Sequence, residues 1–146
     1  MCLSLLKSAE YPDYTAEQGE QEFIYALFVH TEPWYESRLI KEAWDLNDPL
    51  IALPVSVRSP FPVFDFSECD AFLDVLKKSE DGEDVILRLH EKKGGKRLIK
   101  IGLPSVCTAW IVVDLLEEPM EASWHEGSMI EYCLHPFEVV TFRVRW

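Results

Sequence analysis

Apolar positions in the C-terminal half fall into short runs rich in β-branched and aromatic residues, at residues 85–90, 98–103, 108–114, 129–134 and 138–146. Short strands repeated at this spacing and separated by turn-forming residues predict a mainly β fold, an antiparallel β-sandwich. Gly94 and Gly95 supply the positive φ values of a tight hairpin turn between the first two runs, and residues 125–128 read as a second reversal. Both are expected to be antiparallel connections. In the last run Val140, Phe142 and Val144 share one side while Thr141, Arg143 and Arg145 share the other, which predicts a strand with one wet face.

The N-terminal half is more mixed. Residues 20–30 predict a strand with Phe23, Tyr25, Leu27 and Val29 on one face, interrupted afterwards by Pro33. Leu39, Ile40, Ala43, Trp44 and Leu46 follow helical spacing, which predicts one short helix near 35–46, ended by Asn47, Asp48 and Pro49. Pro54, Pro60 and Pro62 then divide the chain into extended or turning pieces, a loop-rich crossing between β layers. Residues 70–78 suit either a helix or a strand by periodicity. The polar turn at 79–84 lets them fold back on 85–90, and this favours a hairpin. Internal repeats and interdomain linkers are not apparent, so residues 1–146 read as a single domain.

Composition narrows the partners. Acidic residues number 26 against 14 basic ones, a net charge of -12 that repels phosphate backbones and anionic membrane surfaces. Neither nucleic acid nor a membrane is the expected partner. The chain lacks both an apolar stretch near the ~20 residues that cross a bilayer and a start of signal-peptide form, so a cytoplasmic protein is expected. Cys2, Cys69, Cys107 and Cys133 are scattered without a Cys-x-x-Cys pair, which predicts reduced, mostly buried thiols. The same lack of short ligand spacing argues against a zinc site built from them and the four histidines.

Several segments stand out in their order: L-S-L-L-K-S from Leu3, Y-P-D from Tyr11, A-E-Q-G-E-Q-E-F-I-Y-A-L from Ala16, D-L-N-D-P-L from Asp45, V-I-L-R-L-H-E from Val85, D-L-L-E-E from Asp114 and P-F-E-V from Pro136. In this order they resemble the C-terminal β-domain of cytosolic-type α-mannosidases of glycoside hydrolase family 38. The resemblance spans almost the whole chain. Gln21 stands where this branch usually has His, Ile24 where Thr is usual and His90 where Tyr is usual. It implies a parent that hydrolyses terminal α-mannosides with a large N-terminal catalytic barrel, a zinc ion held there by His and Asp residues, an Asp nucleophile and a carboxylic general acid. That barrel has no counterpart in this chain. The expected partner is therefore the catalytic domain of the same polypeptide, with zinc outside this chain.

A retaining glycosidase needs two carboxyl groups roughly 5 Å apart facing a sugar pocket. Pairs such as Glu20 with Glu22 or Glu117 with Glu118 read as solvated acidic edge rather than as such a dyad. No catalytic residues are expected here. Arg88 and Glu91 bring charge into an apolar run, where an unpaired charge is costly, and three positions apart on a strand they call for different partners. They are candidates for salt bridges or for the interface with the catalytic domain and the rim of its cleft. Trp44 and Trp110 read as core, whereas Trp34 and Trp124, in turn-rich surroundings, are candidates for sugar or partner contact. The other function class consistent with the chain is a stand-alone carbohydrate-binding or protein-interaction β-sandwich module.

Overall fold

Strand β7 (Val139–Arg145) organises the core, because Val140, Phe142 and Val144 all turn inward and are buried. The computed structural model describes residues 2–6, 11–15, 18–52, 54 and 63–146. Within them the chain forms helix α1 (Leu39–Asn47) and strands β1 (Phe72–Lys78), β2 (Val85–His90), β3 (Arg97–Gly102), β4 (Ala109–Val113), β5 (His125–Glu126) and β6 (Met129–Leu134) before β7. One sheet has the order β1-β2-β7-β4-β5 and the other pairs β3 with β6, all antiparallel. This is the mainly β sandwich with one short helix that the periodicity predicts. Leu87, Leu89, Trp110, Val112 and Phe142 from the larger sheet pack against Ile99, Ile101, Ile130 and Leu134 from the smaller one.

Residues 70–78 resolve as strand: β1 pairs with β2 from Phe72↔His90 to Lys78↔Val85, with an irregularity between Leu73 and Val75. The hairpin turn is held by Ser79, whose N–H donates to the Asp84 carbonyl and whose hydroxyl accepts the Asp84 N–H.

Several expectations need correction. Gly94 adopts a positive φ of 76° but Gly95 does not, and Gly127 adopts one of 135°, yet neither turn is a hairpin between paired neighbours. The first turn carries the chain from β2 to β3 in the other sheet. At the second, His125 and Glu126 pair with Trp110 and Ala109 before the chain crosses to β6. A glycine turn signals reversal without specifying which edge the chain meets next. Second, the outer face of β7 is not wet at its centre. Thr141 is 2% exposed and Arg143 is half-buried, bonded to Asp81 and Asp84. The loop after β4 reaches across β7 and β2, where Glu117 meets Lys77 at 2.7 Å and accepts the Glu80 N–H at 2.8 Å.

Third, residues 20–30 form no strand and make no backbone–backbone hydrogen bond to another described residue. A strand needs a neighbouring strand to satisfy its backbone, and neither sheet offers them one. Fourth, although all four cysteines are free, Cys2 and Cys133 are exposed, the latter on the outward side of β6.

The helix starts at the first residue of the apolar spacing, Leu39, and not near 35, because Trp34–Ser37 form a turn in which Glu36 and Ser37 donate to the Pro33 carbonyl. Trp44 stacks on Phe72 at 4.9 Å but stays more than a third exposed, so it is not the core residue that its helical position predicts. Part of the loop-rich crossing, residues 53 and 55–62 with Pro60 and Pro62, lies outside the described residues.

Candidate functional site

Glu91 directly follows β2 and is 1% exposed. A carboxylate survives such burial only when donors replace its water. Its Oε1 accepts the Lys93 N–H at 2.8 Å and Arg97 Nε–H at 3.1 Å, and its Oε2 accepts the Gly94 N–H at 2.7 Å and the Phe137 N–H at 3.0 Å. Burial alone would raise its pKa, but the N–H groups of Phe137, Lys93 and Gly94 and the Arg97 guanidinium prevail and hold it at about 2. Lys93 and Gly94 belong to the β2–β3 crossing and Phe137 to the β6–β7 turn, so one carboxylate ties two connections together.

The Glu91 N–H donates to the Glu138 carbonyl at 2.9 Å, which completes the junction of residues 85–91 with residues 136–139. The Glu138 carboxylate in turn accepts the His135 N–H at 2.7 Å and the Tyr132 hydroxyl at 3.0 Å. Burial and that carboxylate push the Tyr132 pKa up to about 12.

Phe137 also closes over Gly94. A Cβ at position 94 would lie 2.7 Å from its ring, on a backbone already at positive φ. Gly94→Ala is therefore expected to destabilise the chain by about 1–2 kcal/mol in urea unfolding, from the left-handed backbone alone. The ring contact adds to this. Pairing it with Phe137→Ala should return the ring's share and leave the backbone share, and a neutral Gly94→Ala would contradict the geometry.

Arg97 continues the network, since its Nη1 lies 3.1 Å from Asp70, which Lys93 meets at 2.7 Å and Lys92 at 3.1 Å. Burial works against ionisation of Asp70, yet the Lys93 and Lys92 ammonium groups hold its pKa below the usual carboxylate range. Lys92 also sits over the Phe72 ring at 4.8 Å.

Arg88 points to the opposite side of β2 from Leu87 and Leu89. It is half-buried, its Nε–H donates to Thr141 Oγ1 at 3.1 Å, and it has no carboxylate within salt-bridge distance among the described residues. His90, on the same face, has its Nδ1 2.8 Å from both oxygens of Asp74. The two charged residues of the V-I-L-R-L-H-E run thus have separate surroundings, as their spacing requires. Trp34 is exposed and meets Tyr35 edge to face at 5.7 Å. Trp124 is half-buried with the Arg145 guanidinium 4.1 Å above its ring. The four candidates Arg88, Glu91, Trp34 and Trp124 are not in mutual contact in any of these interactions.

The arrangement offers little acid–base chemistry. Glu91 stays ionised in a shell of donors, so it has no proton to give at neutral pH and no free lone pair aimed at solvent. Glu117, which the sequence places on a solvated edge, is buried against Lys77, and that ammonium lowers its pKa against the effect of burial. Glu118 beside it is exposed. Among the described residues no group of three or more His, Cys, Asp or Glu side chains could hold a metal ion. Nor does any helix among them have the length and apolarity to cross a membrane. Sequence reasoning noticed that Glu91 needs partners but missed Phe137, which is 46 positions away and contributes only its backbone N–H.

Comparison with known proteins places this architecture. Human alpha-mannosidase 2C1 is 31% identical over 149 aligned positions, covering 97% of this chain and 14% of that protein. Alpha-mannosidase G of Dictyostelium discoideum is 30% identical over 97% of the chain and 14% of its own length. Mouse alpha-mannosidase 2C1 is 36% identical over 64% of the chain and 10% of its own length. The chain thus spans about a seventh of the longest-matched curated relatives. No solved structure matches it significantly. A family profile described as the glycosyl hydrolases family 38 C-terminal beta sandwich domain matches residues 71–142, from the start of the β1–β2 hairpin into β7. The sandwich built from these strands belongs to that family of C-terminal domains.

Proposed function

We propose that this chain is the single, non-catalytic C-terminal β-domain of a zinc-dependent, retaining α-mannosidase of the cytoplasm, where it packs on the catalytic domain and supports the cleft that takes terminal α-mannosides. One observation carries this reading: almost the whole chain aligns with α-mannosidases of which it spans only a seventh. The donor shell around Glu91 agrees with a structural rather than a catalytic carboxylate there. Zinc, in this reading, is held by the catalytic domain.

Of the four candidate residues, Arg88 is the best fitted to an interdomain contact. A half-buried guanidinium without a carboxylate among the described residues has N–H donors to offer, and a carboxylate on the catalytic domain would accept them. Trp34 presents an exposed ring for the same purpose. Trp124 is partly occupied by Arg145. Glu91 acts indirectly, by fixing the end of the strand that carries Arg88.

The test is the size of the native gene product, followed by peptides of this segment, together with an aryl α-mannoside assay on the 146-residue chain with zinc added. The expected results are a product far larger than 16.9 kDa and no release of the aryl group by the chain alone. A free-standing product of that mass, or zinc-dependent hydrolysis by the isolated chain, would overturn the reading.

A further inference from the structure

The segment at residues 23–29, Phe-Ile-Tyr-Ala-Leu-Phe-Val, has the composition of a strand and none of the pairing of one. Neither of its alternating faces is polar: Phe23, Tyr25, Leu27 and Val29 form one, and Ile24, Ala26 and Phe28 the other. All seven residues are exposed, among them Ile24 at 79%, Leu27 at 73% and Val29 at 83%. A surface strand carries polar residues on its wet side, and an edge strand carries charge or proline to discourage pairing. This segment has no charge or proline between Phe23 and Val29, while Glu20, Glu22, His30 and Glu32 bracket it. Such a pattern suits an interior strand of a sheet covered on both faces.

Neither sheet of the sandwich receives it. The family profile begins only at residue 71, yet human alpha-mannosidase 2C1 aligns with 97% of this chain, so the N-terminal residues are shared with a protein much longer than the sandwich.

We propose that residues 23–29 form an interior β-strand by inserting into a sheet of the remainder of the α-mannosidase polypeptide, between two of its strands and beneath apolar cover on both faces. This rests on the reading of the chain as a domain of such a polypeptide. The slot it fits has two free strand edges about 9–10 Å apart, twice the interstrand spacing, and no charged side chains facing it. The N-terminal segment is then a joint between the sandwich and the rest of the enzyme, held by backbone hydrogen bonds as well as by apolar burial.

Hydrogen–deuterium exchange of peptides covering residues 23–29 tests this in the native gene product and in the 146-residue chain. At least 100-fold slower exchange is expected in the native product, with near-intrinsic rates in the isolated chain. Ile24→Asp should leave the melting temperature of the isolated chain unchanged and lower that of the native product. A large product in which the segment still exchanges freely, and which tolerates Ile24→Asp, overturns the strand and leaves the domain reading intact. A product of only 16.9 kDa overturns both. Protection that appears in the isolated chain only as its concentration rises would assign the slot to a second copy and overturn the partner proposed here.

Discussion

Replacing Glu91 with alanine is expected to cost about 3–5 kcal/mol of folding stability, the usual penalty for breaking a buried, hydrogen-bonded charge. The substitution strands the N–H groups of Lys93, Gly94 and Phe137 and the Arg97 Nε–H at a position with no solvent exposure on the side chain. For a domain whose whole stability is on the order of 5–15 kcal/mol, that is a large fraction. Urea unfolding of the chain checks it, and a loss below about 1 kcal/mol would mean that water reaches the donors.

The pH dependence follows from the same carboxylate. Its folded pKa of about 2 lies below the ordinary 4.5, so its contribution is fully present above pH 4.5 and is lost as pH falls from there towards 2. Across that window the group accounts for about 3 kcal/mol. Asp70 and Glu117, also held below their ordinary values, act in the same direction. The slope of stability against pH between 2 and 4.5 should therefore be shallower in Glu91→Gln than in the parent chain. Equal slopes would remove Glu91 as the source.

Local pattern located the strands well where burial repeats along the chain. Residues 85–90 and 129–134 are strands to the residue, because turn-forming residues bound each run and apolar side chains fill its inward positions. Pattern failed where the deciding partner lies far away in the chain. Glycine turns at 94 and 127 were legible as reversals, but their crossing between sheets depends on which edges β3 and β6 find. Thr141 reads as wet because its own strand alternates, yet the Arg88 side chain, 53 positions earlier in the chain, lies on its hydroxyl. The strand pattern at residues 23–29 is plain in sequence and unrealised in the described fold, since a strand is a property of two chains' edges and not of one segment.

The candidate site shows the same division. The charge pattern singled out Arg88 and Glu91 as residues needing explanation, and their opposite directions followed from spacing alone. What distinguishes them is non-local. Glu91 meets a backbone N–H from the β6–β7 turn, and Arg88 meets, among the described residues, a hydroxyl from β7. Backbone donors leave no mark in composition, so a sequence cannot separate a carboxylate that fastens two turns from one that faces a neighbouring domain.

Phe142→Ala is expected to have an effect of similar size, about 3–5 kcal/mol, through the cavity it leaves. Phe142 is fully buried at the centre of the larger sheet, paired across to Leu87 on β2 and Val112 on β4. Its ring meets Trp110 edge to face at 5.6 Å and Tyr132 of the smaller sheet at 5.4 Å, so it joins the two layers rather than one. Phe142→Leu retains most of the volume and should cost only about 1–1.5 kcal/mol. Near-ultraviolet circular dichroism supplies a readout independent of total stability, since the rings of Trp110 and Tyr132 lose a fixed neighbour in the alanine variant while Glu91 and its donors are untouched. If alanine cost no more than leucine and left the aromatic signal unchanged, the two sheets would not be sharing this core.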